Sequence, residues 1–456
     1  MILIYFPLKF EANLIRNSRG TLNPAEIVLK CNPAAEQRGI ISNGVNRIVR
    51  FTPLESPTIY GGDDINKASI PYIKGRVKAP FLTGFTFLKV GHFPFDHRRF
   101  HIILGVTRLI WKGRSMEREM AVLGVGAIGS SIGADLTKAG HRVCLIDQWP
   151  AHIEAMKAHG LRVIMPGEEL HIPVEAVHLC EVCSLHREFD IVFLTAKSYD
   201  TYWMVHFIKP YLKSSGVVVS VQNSLNDEWI APIIGYGRDI ASVIELSAEI
   251  FEPGLVRRNT DHSRTWFALG ELHGRVTPRL QEIAHILSAA GKTEMSTNIW
   301  GAKWTKLAVN CMSQGVAGVL GIFDWEITQN PKILELSIQL GREVFQVGMI
   351  LGYRLEPIFG MSAEEFLGST DEVLKKNLVT LISHIGKRAR NSVLQDHLKG
   401  RRSEVDFMNG LVVRKAQEAG VPTPLNQEIT SITKEIEKGS LKPGLENLKM
   451  LEKLIE

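Results

Sequence analysis

Residues 120–147 read MAVLGVGAIGSSIGADLTKAGHRVCLID. The apolar run Met120 to Leu123 predicts a short buried strand, Gly124, Gly126 and Gly129 a tight turn, Ser130 to Ala139 a helix closed by Gly140, and Arg142 to Ile146 a second strand. This is a βαβ unit, and its G-x-G-x-x-G lies where a dinucleotide needs it, directly after a strand and opening a helix. Gly124 permits the turn, Gly126 lets backbone N–H groups approach a pyrophosphate, and Gly129 allows close helix–strand packing; Val125, Ala127 and Ile128 complete the cradle, and the helix N-terminus supplies partial positive charge. Asp147 ends the second strand, 18 residues after Gly129. A carboxylate there hydrogen-bonds the adenosine ribose hydroxyls and repels a 2′-phosphate, which argues for NAD over NADP; the competing reading is a solvated strand-end carboxylate.

Downstream, strand patterns at 190–195, 216–221 and 240–246 alternate with helical segments, the rhythm of a doubly wound parallel sheet. Beyond about Thr297 strand patterns cease. Amphipathic patterns at 299–319, 332–351, 401–419 and 426–439 predict an all-helical C-terminal domain. The expected organisation is therefore α/β: a Rossmann-type dinucleotide-binding domain at 116–297 and a helical substrate and catalytic domain at 298–456.

Upstream, residues 1–115 carry 17 Lys and Arg against 7 Asp and Glu, whereas the remainder carries 36 against 41, so the net charge of +5 conceals a local basic region. That region holds eight of the twenty prolines and shows no sustained apolar period. A small accessory domain, a disordered basic extension, and sequence preceding a true start at Met116 or Met120 are the three readings; we favour the third. No aromatic-basic platform or DNA-reading motif accompanies the basic residues, which argues against a nucleic-acid partner.

With 45% hydrophobic and 22% charged residues, the composition is that of a globular protein and excludes a disordered chain, a collagen or a small disulfide scaffold. Five scattered cysteines, Cys31, Cys144, Cys180, Cys183 and Cys311, read as thiols of a reducing compartment, which points to the cytoplasm. No run of about 18 uncharged apolar residues predicts a membrane span. His178, Cys180, Cys183 and His186 fall within nine residues and could bind zinc or form a redox pair, but their loops are short and we read them as ordinary strand and loop residues.

The ordered motifs GVGAIG (124–129), LTAK (194–197), VQN (221–223), WTKLAVNC (304–311), SVLQD (392–396) and SEVDFMNG (403–410) resemble those of the ketopantoate reductase family, the 2-dehydropantoate 2-reductases. The resemblance spans residues 119–456. It implies a cytoplasmic enzyme of pantothenate and coenzyme A synthesis that reduces the ketone of a branched 2-oxo acid with NADPH or NADH, and a homodimer is compatible with it. It makes Lys306 the catalytic lysine and Asn310 and Ser392 substrate-side residues, with Gln314 at a further substrate position. Lys197, Asn223 and Glu404 fall on the family's cofactor contacts, and no metal enters the scheme. Three departures stand out: Gln314 where asparagine is usual, Ser224 where glycine is usual, and Asp147-Gln148 where an arginine for the 2′-phosphate is common.

The case for Lys306 also has an independent physical basis. Hydride attack on a ketone develops negative charge on oxygen, which an ammonium stabilises and then protonates. Lys306, Asn310 and Gln314 stand at i, i+4 and i+8 and share a helix face, although most helical lysines simply extend a solvated face. A dehydrogenase of other branched 2-oxo or 2-hydroxy acids is the close alternative, and a non-catalytic dinucleotide-binding regulator the alternative from another class.

Overall fold

The computed structural model describes residues 118–454 and, upstream, only the strands β1 (Phe10–Arg16), β2 (Leu22–Cys31) and β3 (Arg47–Arg50). These three pair as an antiparallel sheet in the order β1-β2-β3, in a unit separate from residues 114–456. The sequence pattern had suggested no regular element there. The rest of residues 1–117, on which the expectations about an extension and a start at Met116 fall, lies outside the described residues.

In the larger unit one sheet holds β4 (Met120–Leu123), β5 (Val143–Asp147), β8 (Glu175–His178), β9 (Phe189–Leu194), β10 (Leu212–Ser220), β11 (Asp239–Glu245), β14 (Trp266–Glu271) and β15 (Lys292–Met295). The order β8-β5-β4-β9-β10-β11 is parallel throughout. Counted along the chain it is 3-2-1-4-5-6, the Rossmann arrangement, whose switch point lies between β4 and β9. The strand β14 then joins antiparallel to β11, with β15 parallel beside it. Alternate side chains of β4 feed two cores: Met120 and Val122 pack on one face, Ala121 and Leu123 on the other. All four are buried, so β4 reads as an unbroken apolar run rather than an alternating one.

The first helix, α1 (Ala127–Lys138), lies between this sheet and a second sheet of four strands, β6 (Leu161–Met165), β7 (Glu168–Ile172), β12 (Ala248–Glu252) and β13 (Leu255–Arg258), in the order β12-β13-β6-β7. A Cβ on Gly133 would collide with Leu145, which shows how closely α1 approaches β5. The second sheet is absent from the sequence-based expectation because its strands are half-exposed and interrupted by charge, as in Glu168-Glu169-Leu170-His171-Ile172.

From Ile299 the chain is helical. The buried helix α6 (Ile299–Asn310) packs on β11 and β14 on one side and on α9 (Pro331–Ile350) and α10 (Thr370–Ile385) on the other. It continues through a π-helical turn at Cys311–Gly315 into α7 (Val316–Leu320). The helix expected from Arg401 begins only at Asn409. Ser403 is drawn out of helical geometry by Glu437, whose Oε1 accepts from both its N–H and its hydroxyl, and Glu404 by its bonds to Ser198. No helix of the described residues is long and apolar enough to cross a membrane.

Candidate active site

A cleft of about 590 Å³ opens at the switch point, between the C-terminal ends of the parallel strands and the helical region. Gly124, with φ +90°, starts its floor; a Cβ there would sit 2.7 Å from the backbone of Ala196, just beyond β9. Gly126 faces the opposite situation. Nothing lies within 4 Å of where its Cβ would be, and α1 begins there with no side-chain cap and no acidic residue in its first turn. Open space before uncapped N–H groups fits an anionic phosphate. Val125, Ala127 and Ile128 line the same floor. Gly129 does not: it lies behind the turn, where a Cβ would strike Thr195 and the Gly124 carbonyl, so it serves packing rather than contact.

Asp147 borders the cleft at the end of β5, and its Oδ1 accepts from the Trp149 N–H at 2.7 Å. Burial raises its pKa against backbone donors from Trp149, Val125 and Gln148, and the charge of Asp200 adds to the rise. Gln148 Nε2 donates to that Asp200 at 3.3 Å, so this end of the cleft is acidic. Nothing at Asp147 or Gln148 replaces the missing arginine.

Opposite the glycine turn, α6 and its π-helical continuation deliver a hydrogen-bonded chain. Ser392 Oγ donates to Gln314 Oε1 at 2.5 Å, Gln314 Nε2 to Asn310 Oδ1 at 3.1 Å, and Asn310 Nδ2 to Asn223 Oδ1 at 3.0 Å. The π turn begins directly after Asn310 and includes Gln314, and both residues line the cleft. Ser224 follows Asn223 at φ +74°, in the left-handed region that favours glycine, and its hydroxyl donates to the Phe407 carbonyl.

Lys306 lies one helical turn before Asn310, 7% exposed, with Nζ 4.7 Å from the Phe359 ring centroid. Among the described residues no carboxylate lies within 4.0 Å of its ammonium. Burial pushes its pKa down to about 8, partly opposed by the charges of Glu245 and Asp324. Sequence reasoning had missed both of these carboxylates, which line the cleft. Asp324 accepts from Asn391 Nδ2 at 3.0 Å, and burial pushes it up to about 6. Glu245 ends β11, where a β-strand pattern shows burial but not which charged group it faces.

Lys197 and Glu404 also line the cleft, but they are engaged with each other. Lys197 Nζ reaches Asp396 Oδ2 at 2.7 Å and Glu404 Oε2 at 2.9 Å, while Glu404 Oε1 accepts from the N–H and hydroxyl of Ser198, both at 2.8 Å. Burial alone would depress the lysine; the two carboxylates more than reverse it. These bonds clasp the sheet to the helical region. Elsewhere, His178 bonds Glu154 at 2.7 Å, and Cys183 Sγ donates within its own turn to the Cys180 carbonyl. Both cysteines are exposed, and among the described residues no three His, Cys, Asp or Glu are grouped to hold a metal.

Comparison with known proteins follows the same two-part division. The family model for ketopantoate reductase PanE/ApbA matches residues 120–271, and that for the PanE/ApbA C terminal matches residues 298–437. A 2-dehydropantoate 2-reductase of Archaeoglobus fulgidus is 27% identical over 325 residues, which cover 71% of this chain and 99% of the relative. A PanE/ApbA family ketopantoate reductase from Ralstonia eutropha JMP134 superposes with a TM-score of 0.59 at 26% identity, covering 70% of this chain and 99% of its own. A D-mandelate dehydrogenase solved with NADH and anilino(oxo)acetate shares the fold, with a TM-score of 0.63 at 24% identity and coverage of 70% and 99%.

Proposed function

The chain belongs to the ketopantoate reductase family, a family of oxidoreductases, and on that premise we propose that it reduces the ketone of 2-dehydropantoate to pantoate with a nicotinamide dinucleotide, in the synthesis of pantothenate and coenzyme A. The observation that carries this reading is Lys306, buried and without an ion-pair partner among the described residues, in the same cleft as the open glycine turn and the Ser392–Gln314–Asn310–Asn223 chain. The turn at Gly124–Ile128 would hold the pyrophosphate, with Asp147 at the adenosine ribose and Asn223 toward the nicotinamide. When bound, the dinucleotide supplies the hydride. Lys306 Nζ then stabilises the developing alkoxide and gives it a proton, while Asn310, Gln314 and Ser392 orient the 2-oxo acid. Lys197 and Glu404 hold the cleft walls together. A cytoplasmic location and a small-molecule substrate accord with this role.

Asp147 with its acidic neighbour Asp200 favours NADH over NADPH, since a 2′-phosphate there meets like charge. Gln314, bonded to Ser392, takes more room than the asparagine usual in the family and so favours the second reading, a dehydrogenase of other branched 2-oxo acids. Steady-state assays with 2-dehydropantoate and simpler 2-oxo acids, each with NADH and NADPH, decide among these. Highest kcat/KM for 2-dehydropantoate with NADH is expected. A higher value for another 2-oxo acid would replace the substrate, preference for NADPH would refute the role of Asp147, and no turnover with any would leave the regulator reading.

A further inference from the structure

Lys306 presents a difficulty when the cleft is full. Each reduction takes its proton, yet Lys306 is buried in the wall of the cleft that cofactor and substrate would occupy. One route leads elsewhere. Glu245, at the end of β11, is 2% exposed and borders the cleft. Its Oε1 lies 2.8 Å from His384 Nδ1, and its Oε2 is buried with no hydrogen-bond partner. The His384 side chain, in the last turn of α10, is 30% exposed.

We infer that Glu245 and His384 form a proton relay that returns a proton from solvent to Lys306 after each turnover. The inference rests on the reading of Lys306 as proton donor. The balance is simple: Lys306 Nζ–H breaks as the substrate O–H forms; Glu245, beyond direct hydrogen-bond reach of the neutral amine, gives its proton to a bridging water in the cleft, which passes one on to Lys306 Nζ; His384 reprotonates Glu245 and takes its own proton from solvent. The charged surroundings suit this direction. Glu245 is raised by burial and lowered by His384 and Lys306, and His384 is raised by Glu245, against burial and the charge of Arg264. The helix C-terminus also favours the imidazolium. Asp324, the other carboxylate acting on Lys306, offers no such path, since its side chain is bonded to the amide of Asn391, which does not titrate. Glu245 and His384 act through Lys306 and are positioning residues.

His384→Gln in the full-length protein should lower kcat ~10-fold or more, within the range for a lost proton-transfer group. Both KM values should stay within about twofold, the solvent deuterium isotope effect on kcat should rise, and millimolar imidazole should restore the rate. Unchanged kcat, or a loss that imidazole does not restore, overturns the relay. A second readout needs no turnover: NMR titration should place the His384 ring above the ordinary value of about 6.5 and show it falling in Glu245→Gln. An ordinary value unmoved by that substitution also overturns the relay. Wild-type protein inactive on every 2-oxo acid would instead overturn the underlying reading and the relay with it, whereas an active wild type with an unaffected His384 variant overturns the relay alone.

Discussion

Lys306 and Gly126 show how much one position can carry. Because burial lowers the Lys306 ammonium to about 8, a physiological pH lies near its titration. On the proposed mechanism reduction uses the charged form, so kcat/KM for the ketone should fall as pH rises through about 8, and the reverse oxidation, which would use the neutral amine, should rise through the same range. A flat reductive profile from pH 7 to 9.5 would exclude Lys306 as the acid. Lys306→Ala should cost kcat ~10²-fold or more while cofactor still binds. Gly126 separates fold from binding. A side chain there meets open space at an ordinary φ, so Gly126→Val should leave thermal stability within about 0.5 kcal/mol yet weaken dinucleotide binding at least ~10-fold. Calorimetric titration and a melting curve on the same sample check both halves, and equal affinity would remove the turn from the cofactor site.

At the scale of elements, α6 carries Lys306 and Asn310 to the cleft and α9 positions α6. The two helices meet where Trp304, fully buried, donates Nε1 to the Val344 carbonyl at 2.9 Å and stacks on Tyr353 with ring centroids 4.3 Å apart. A Cβ at Gly348 would run into that indole. Gly348→Ala should therefore destabilise by ~1–3 kcal/mol, the usual scale for overpacking, and lower Tm by several degrees. An unchanged Tm would mean that α9 shifts freely and is not what fixes α6. Helix α6 was legible in outline, with Lys306, Asn310 and Gln314 at helical spacing. The π turn at Cys311–Gly315 was not, because an inserted residue leaves the apolar periodicity almost unchanged over a single turn.

Across the whole molecule, the family matches begin at residue 120 and the hydrophobic clusters of the described residues lie within 120–451. Protein begun at Met116 should thus fold, bind dinucleotide and turn over like the full chain; a lower Tm or kcat would assign residues 1–115 a structural or catalytic part. Local pattern by itself determined the βαβ unit, the Rossmann class and the change to helices near residue 298, because apolar period and glycine placement are encoded within about thirty residues. Motif order identified the family and named Lys306. Tertiary structure alone decided which distant groups come together: Lys197 with Asp396 and Glu404, Glu245 with His384, and Asp324 in the same cleft as Lys306. Those partners come from strands and helices far apart in the chain, and no local periodicity records which charge will lie across a cleft from another. The acidity of Lys306 has the same origin, since burial and neighbouring carboxylates set it and neither is a property of the helix that carries it.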